Sequence, residues 1–175
     1  MPVTMSETPT YLPPHIFLYG LAGAGKSYCG QLFARRLGYH YYDLDVHLTP
    51  AMQEAIRAKT TFTDAMRDEF FEVIREKIRE ACGTHAKILF AQGAYKERHR
   101  AFLKAALPSL HFVCVSAPID VLQGRLAARG GQVTADYALS IAKGFEPGSE
   151  VRLLLNEGAE DAVLVERFEQ LFKKS

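Results

Sequence analysis

The chain has 175 residues, with 21 Lys and Arg against 20 Asp and Glu, for a formal net charge of +1. That length suits one domain, and a 48% hydrophobic content is enough for a real core, which excludes a largely disordered chain, a collagen-like repeat and a coiled coil. A near-zero charge supplies no general field to draw the chain onto nucleic acid or an anionic membrane, and the widely spaced Cys29, Cys82 and Cys114 form no metal-binding pattern.

Met1 to Pro14 lacks the basic start and apolar centre of a secretory signal. It reads as a flexible polar leader, residues 1–14, ahead of a single domain over 15–175. No apolar run approaches the roughly 18–20 residues of a membrane span. A cytoplasmic setting is therefore expected.

His15 to Tyr19 is short, β-favouring and bounded by Pro14 and Gly20, so a buried strand is expected. Residues 26–37 carry helical spacing and stop at Gly38. Tyr39 to Tyr42 reads as a second strand ending at Asp43 and Asp45. Helices are expected over 50–58 and 63–81. In the second, Thr63 caps the start, Gly83 ends the segment, and Phe62, Met66, Phe70, Val73, Ile74 and Ile78 share a face. Ile88 to Ala91 is a third strand, closed by the Gln92-Gly93 turn, and 96–106 is helical. Phe112 to Val115 is a fourth strand. Pro118 opens a helix at a first-turn position, and that helix runs to about Ala128. Arg129-Gly130-Gly131-Gln132 reads as a mobile loop. A short helix over 135–143, a break at Pro147-Gly148, a strand over 151–155 and a helix over 159–173 complete the chain. Strands alternate with helices, and the strands are continuous apolar runs. That pattern predicts a five-stranded parallel sheet covered on both faces.

Gly20-Leu21-Ala22-Gly23-Ala24-Gly25-Lys26-Ser27 fits G-x-x-x-x-G-K-[ST] between an expected strand and an expected helix. Glycines let successive N–H groups turn inward as an anion nest, and the helix that follows aims its positive end at the same place. Lys26 is positioned for the β- and γ-phosphates of a nucleotide, and the Ser27 hydroxyl for Mg²⁺. Asp43 and Asp45 follow the second strand and can divide two tasks, one serving the cation and the other orienting or deprotonating an acceptor hydroxyl. Arg67 lies on a polar helix face among Asp64, Asp68 and Glu69. Lys96 and Arg100 stand at i and i+4 after the Gln92-Gly93 turn, a spacing that could grip an anion. Arg125 and Arg129 lead into Gly130-Gly131, which suits a cationic lid.

These residues resemble the small P-loop metabolite kinases, over roughly 15–173. Gluconokinase is the nearer likeness, through Asp64 and Arg67, through Ala94, Lys96, Arg100 and Leu103, through Arg125, Arg129 and Gly130, and through Glu146-Pro147-Gly148. Shikimate kinase is second, through the D-x-D of Tyr42-Asp43-Leu44-Asp45, with Gln92-Gly93-Ala94 where that family has three glycines. The resemblance implies a three-layer P-loop kinase fold with strand order 2-3-1-4-5 and a small lid. It implies ATP with Mg²⁺, and a small, anionic polyhydroxy acceptor. Gly20, Leu21, Ala22, Gly23, Ala24, Gly25, Lys26, Ser27, Tyr28 and Arg125 would contact the nucleotide, and Ser27 and Asp43 the metal. Asp45, Arg67, Gly93, Lys96 and Arg100 would face the acceptor. Lys26, Asp45 and Arg129 would carry the catalysis. The partner expected is a small molecule, not nucleic acid or a membrane, and the protein a monomer or homodimer. A non-catalytic ATP-binding regulator is the reading of another class.

Overall fold

A computed structural model describes residues 11–130, 134–148 and 151–173. Five strands, β1 (His15–Tyr19), β2 (His40–Asp43), β3 (Ile88–Ala91), β4 (Leu110–Ser116) and β5 (Arg152–Leu155), form one parallel sheet in the order β2-β3-β1-β4-β5. The helices are α1 (Lys26–Leu37), α2 (Pro50–Arg57), α3 (Asp64–Thr84), α4 (Glu97–Ala106), α5 (Ile119–Arg129), α6 (Ala135–Ala142) and α7 (Asp161–Gln170).

Side chains alternate across the pleat and so build two cores. Ile16 and Leu18 of β1 join Leu89, Val113 and Val115 against Leu32, Phe33 and Leu37 of α1 and Leu164 and Phe168 of α7. Phe17 and Tyr19 face the other way with Phe90, against Phe70, Phe71, Ile74 and Ile78 of α3 and Leu103 of α4. Helix starts follow local chemistry. The Thr49 hydroxyl accepts from Met52 N at 3.2 Å, with Pro50 at the first turn of α2. The Thr63 hydroxyl accepts from Met66 N at 3.1 Å to open α3.

Several expectations shift. β2 begins at His40 and includes Asp43, while Asp45 sits on a one-turn 3-10 helix, Leu44–His47. The Asp43 carboxylate accepts from Asp45 N at 2.9 Å, and this local bond turns the chain out of the ladder. α3 continues through Gly83 to Thr84, because one glycine costs a helix only about 1 kcal/mol. Val73 points outward, and Phe71 and Ala81 are buried on the core face. β4 extends both ways from the expected core, and Pro118 caps α5 from outside the first turn. Full cover of the sheet fails at the β5 edge, where Leu153 and Leu155 are exposed. Residues 1–10 of the expected leader and Gly131 and Gln132 of the expected lid lie outside the described residues.

Phe33 of α1 stacks on Phe168 of α7 at 4.2 Å between ring centres, and both are fully buried. Phe33→Ala should cost about 3–5 kcal/mol. Urea unfolding should show this as a lower midpoint with an unchanged slope.

Candidate active site

The carboxyl ends of β1, β2 and β3 open onto one cleft. After β1 the chain turns through Gly20–Gly25, and Gly25 adopts φ 93°, a left-handed angle that a side chain would strain. The loop's carbonyls are occupied one by one. Lys26 Nζ donates to Gly20 O at 2.9 Å and Leu21 O at 3.0 Å. Arg125 donates to Gly23 O at 3.1 Å and Ala24 O at 3.3 Å, and its other nitrogen donates to Asn156 O at 2.8 Å. Asn156, buried after β5, donates its amide to Ala24 O at 2.8 Å. Gly25 O accepts from Cys29 N at 2.9 Å as α1 begins.

In a trans peptide each carbonyl points opposite to the next N–H. The Ala24 carbonyl is drawn to Arg125 and Asn156, so the Gly25 N–H faces the other way. The Gly25 carbonyl is drawn into α1, which turns the Lys26 N–H outward with it. The first N–H groups of α1 have no intrahelical acceptor. Together they form a donor-lined cup at the positive end of α1.

Lys26, Asp45 and Arg67 line a single cavity of about 160 Å³ beside this cup. Gln92, Gly93, Ala94 and Tyr95 form its rim after β3, and Leu48, Met52, Ile56, Phe62, Phe70 and Phe71 form an apolar wall. Burial lowers the Lys26 pKa to about 8, aided by the Arg129 charge and opposed by the Asp45 and Asp43 carboxylates. Asp45 is exposed on the one-turn helix at the edge of the cavity. Desolvation by the walls and the charge of Asp43 raise its pKa, while Lys26 and a hydrogen bond from Gln92 pull it down. Arg67 is anchored by Phe62 O at 2.8 Å and stands 3.7 Å from Asp64.

Not every expected site residue joins this cavity. Arg100 is buried between two carbonyls, Ala94 O at 2.6 Å and Glu146 O, with Tyr19's ring 4.2 Å away. It ties the turn after β3 to Glu146 and does not line the cleft. Lys96 is the cap residue of α4 and opens onto a surface shared with Asp64, Arg98 and Glu146. Its i,i+4 relation to Arg100 does not give one face, because the cap lies outside the helical turn. Tyr28's hydroxyl is held by Asp161 at the start of α7, away from the cavity. Arg125 grips the loop's backbone rather than projecting from the end of α5. Arg129 is exposed at the last turn of α5, near enough to bear on Lys26. His99 is buried beneath Phe71, stacked at 4.3 Å, with Nε2 2.7 Å from Asp68 Oδ1. Tyr95 and Asn156 are additions that the structure makes to the expected residues. No local motif marks either, since only the sheet order brings the end of β5 beside the loop after β1.

The sequence matches the shikimate kinase family model over residues 22–138, two thirds of its length. The chain belongs to the shikimate kinase family. It is 25% identical over 146 residues to a shikimate kinase of Nostoc sp., covering 82% of this chain and 73% of that protein. It is 27% identical over 130 residues to a gluconokinase of Gluconobacter oxydans, covering 74% of this chain and 73% of that protein. The fold matches a crystal structure titled as a gluconokinase from Sinorhizobium meliloti with a TM-score of 0.76 at 23% identity, covering 91% of each chain. This shikimate kinase family member is therefore a small P-loop kinase, an ATP-dependent enzyme for small molecules, as the sequence resemblance implied. Among the described residues no helix is long and apolar enough to cross a membrane.

Lys26 connects fold to pH. The folded chain holds its pKa at about 8, against 10.5 for an unperturbed lysine, so between those values the folded state binds fewer protons and stability rises with pH. Below about 8 the buried charge opposes folding. In the nucleotide-free protein, Lys26→Met should melt higher than wild type at pH 7, and the gap should close as the pH approaches 10. Arg100→Ala should lower the melting temperature by several degrees and leave the acceptor KM within about twofold. Both are read by melting curves, the second also by steady-state kinetics.

Proposed function

We propose that the enzyme transfers the γ-phosphoryl group of ATP to a hydroxyl of a small hydroxy acid held between Asp45 and Arg67. The observation that carries this reading is that Lys26, Asp45 and Arg67 line one cavity next to the phosphate cup. Asp45 faces the acceptor hydroxyl and orients it or takes its proton. Its raised pKa brings it nearer the range in which a carboxylate acts as a base. Arg67, fixed by Phe62 O, pairs with the acceptor's carboxylate. Lys26 exchanges its loop carbonyls for β/γ-phosphate oxygens. Arg129 adds positive charge from the end of α5.

The residues present also fit Mg²⁺. Among the described residues no group of three His, Cys, Asp or Glu could hold a metal alone, so a cation here needs phosphate oxygens as partners. Exposed Ser27 at the start of α1 and Asp43 at the end of β2 are the donors beside the cup. When bound, the cation would be held by Ser27 and Asp43 and would neutralise charge developing on the phosphate oxygens.

The apolar wall bears on the acceptor. An open-chain acid hydroxylated along its length, such as gluconate, would set hydroxyls against Phe62, Phe70 and Phe71. Each left without a partner costs about 1–3 kcal/mol. A compact ring acid, with one edge free of hydroxyls, suits the same wall. This favours the shikimate-like reading over the gluconate-like one, and the family match supports it.

An ADP-release assay over shikimate, gluconate, other hydroxy acids and nucleoside monophosphates tests this. Turnover should be highest with a ring hydroxy acid. Asp45→Asn should lower kcat by about 10²–10⁴. Arg67→Gln should raise the acceptor KM far more than it lowers kcat, and Lys26→Ala should abolish transfer with the fold intact. A nucleoside monophosphate as best acceptor, or full turnover by Asp45→Asn, overturns the assignment.

A further inference from the structure

Tyr41 has a buried hydroxyl that makes no well-formed hydrogen bond among the described residues, with Ser27 the side chain placed to supply one. A buried unpaired hydroxyl is costly, and such a group calls for an explanation. Its setting offers one. Tyr41 and Asp43 are two apart on β2, opposite Leu89 and Ala91 of β3, so both face α1, while Tyr42 faces the other core. The ring of Tyr41 lies against Gly30 of α1. A Cβ at Gly30 would fall 2.5 Å from the ring, so this glycine is a notch cut for it. Ser27 is one helical turn before Gly30 on the same face of α1, which puts it over the Tyr41 hydroxyl. Ser27, Asp43 and Asp45 all bear on that hydroxyl. Ser27 meets it side chain to side chain, and the two carboxylates are close enough to act on it through their charge.

Three oxygens from α1 and β2 thus gather below the cup: Ser27 Oγ, Tyr41 Oη and the Asp43 carboxylate. A serine hydroxyl that gives a lone pair to a cation keeps its proton, and that proton needs an acceptor. Asp43 Oδ1 takes the Asp45 N–H, and the assignment above gives its other oxygen to the cation. We infer that the Tyr41 hydroxyl is a positioning group for the cation site, accepting the Ser27 proton and so aiming the Ser27 lone pair at the metal. Tyr41 touches neither substrate nor phosphate and acts through Ser27. This rests on the assignment of Ser27 and Asp43 to Mg²⁺ made above.

Tyr41→Phe removes the hydroxyl and leaves the ring in its notch. The chain has no Trp, so a fluorescent ADP analogue gives a clean binding signal. It is titrated into wild type and variant with excess EDTA and again with saturating Mg²⁺. Wild type should bind the analogue tighter with Mg²⁺. In Tyr41→Phe the metal-free affinity should stay within about twofold, and the gain from Mg²⁺ should fall at least fivefold. In a Ser27→Ala background, Tyr41→Phe should cause no further loss. A purely structural role would instead weaken binding equally in EDTA and in Mg²⁺. Should Tyr41→Phe fail to fold, Tyr41→Leu gives the same comparison. An unchanged Mg²⁺ gain in the hydroxyl-free variant, or equal weakening in both buffers, overturns the inference and leaves the cation assignment standing. No Mg²⁺ gain in wild type overturns both, and no binding at all overturns the nucleotide site.

Discussion

The backbone carbonyls of the loop after β1 cannot be left to choose their own partners. Gly20, Leu21, Gly23, Ala24 and Gly25 each have a carbonyl engaged by Lys26, Arg125, Asn156 or the first turn of α1. A trans peptide couples each carbonyl to the opposite direction of the next N–H. Holding the acceptors back therefore aims the donors forward. No cis bond is present among the described residues to break that coupling. Preorganised donors need no rearrangement when a phosphate arrives, and this is where electrostatic catalysis gains most.

The cost of that arrangement falls on Lys26. Its ammonium is the loop's own plug, bonded to two carbonyls in a site that depresses its pKa. On the function proposed above, a phosphate would offer Lys26 negative charge where the carbonyls offer only dipoles, and would so offset the cost of its burial. The same cleft sets Asp45 against Lys26, each moving the other toward its charged form. Donor and acceptor halves of the cleft are thus electrostatically coupled before any substrate enters.

The phosphate loop, the five strands and their order were legible in the sequence because each rests on neighbours in the chain or on a family likeness carried by such neighbours. Thr63 could be read as a cap because its partner, Met66, is three residues on. Arg100 was misread for the opposite reason. Its spacing from Lys96 is local, but its carbonyl partner at Glu146 lies 46 residues away, and nothing in the helix pattern marks that bond. Arg125 fell between the two cases. Its place near the end of α5 led to its being expected as a nucleotide contact, whereas its bonds to Gly23 and Ala24 span more than a hundred residues. Asp43 and Asp45 were expected to follow the second strand together, but Asp43 closes β2 and Asp45 sits on the next turn, because the Asx bond between them ends the strand there.

The division of the sheet into two cores explains why these errors fall where they do. The face toward α1 and α7 supplies the phosphate cup through a short, contiguous segment that sequence motifs capture. The face toward α3 and α4 lines the candidate acceptor cavity with side chains from two separate segments, 45–71 and 92–95, beside Ala22 and Lys26 of the loop after β1. Its polar members are sparse: Arg67 rises from an apolar wall, and His99 and Arg100 are consumed in holding α4 to α3 and to the turn after β3. On the proposed reading, the phosphate half is fixed by backbone geometry and acceptor choice falls to the wall between Leu48 and Phe71. There a change of one side chain alters the cavity's shape without disturbing the loop.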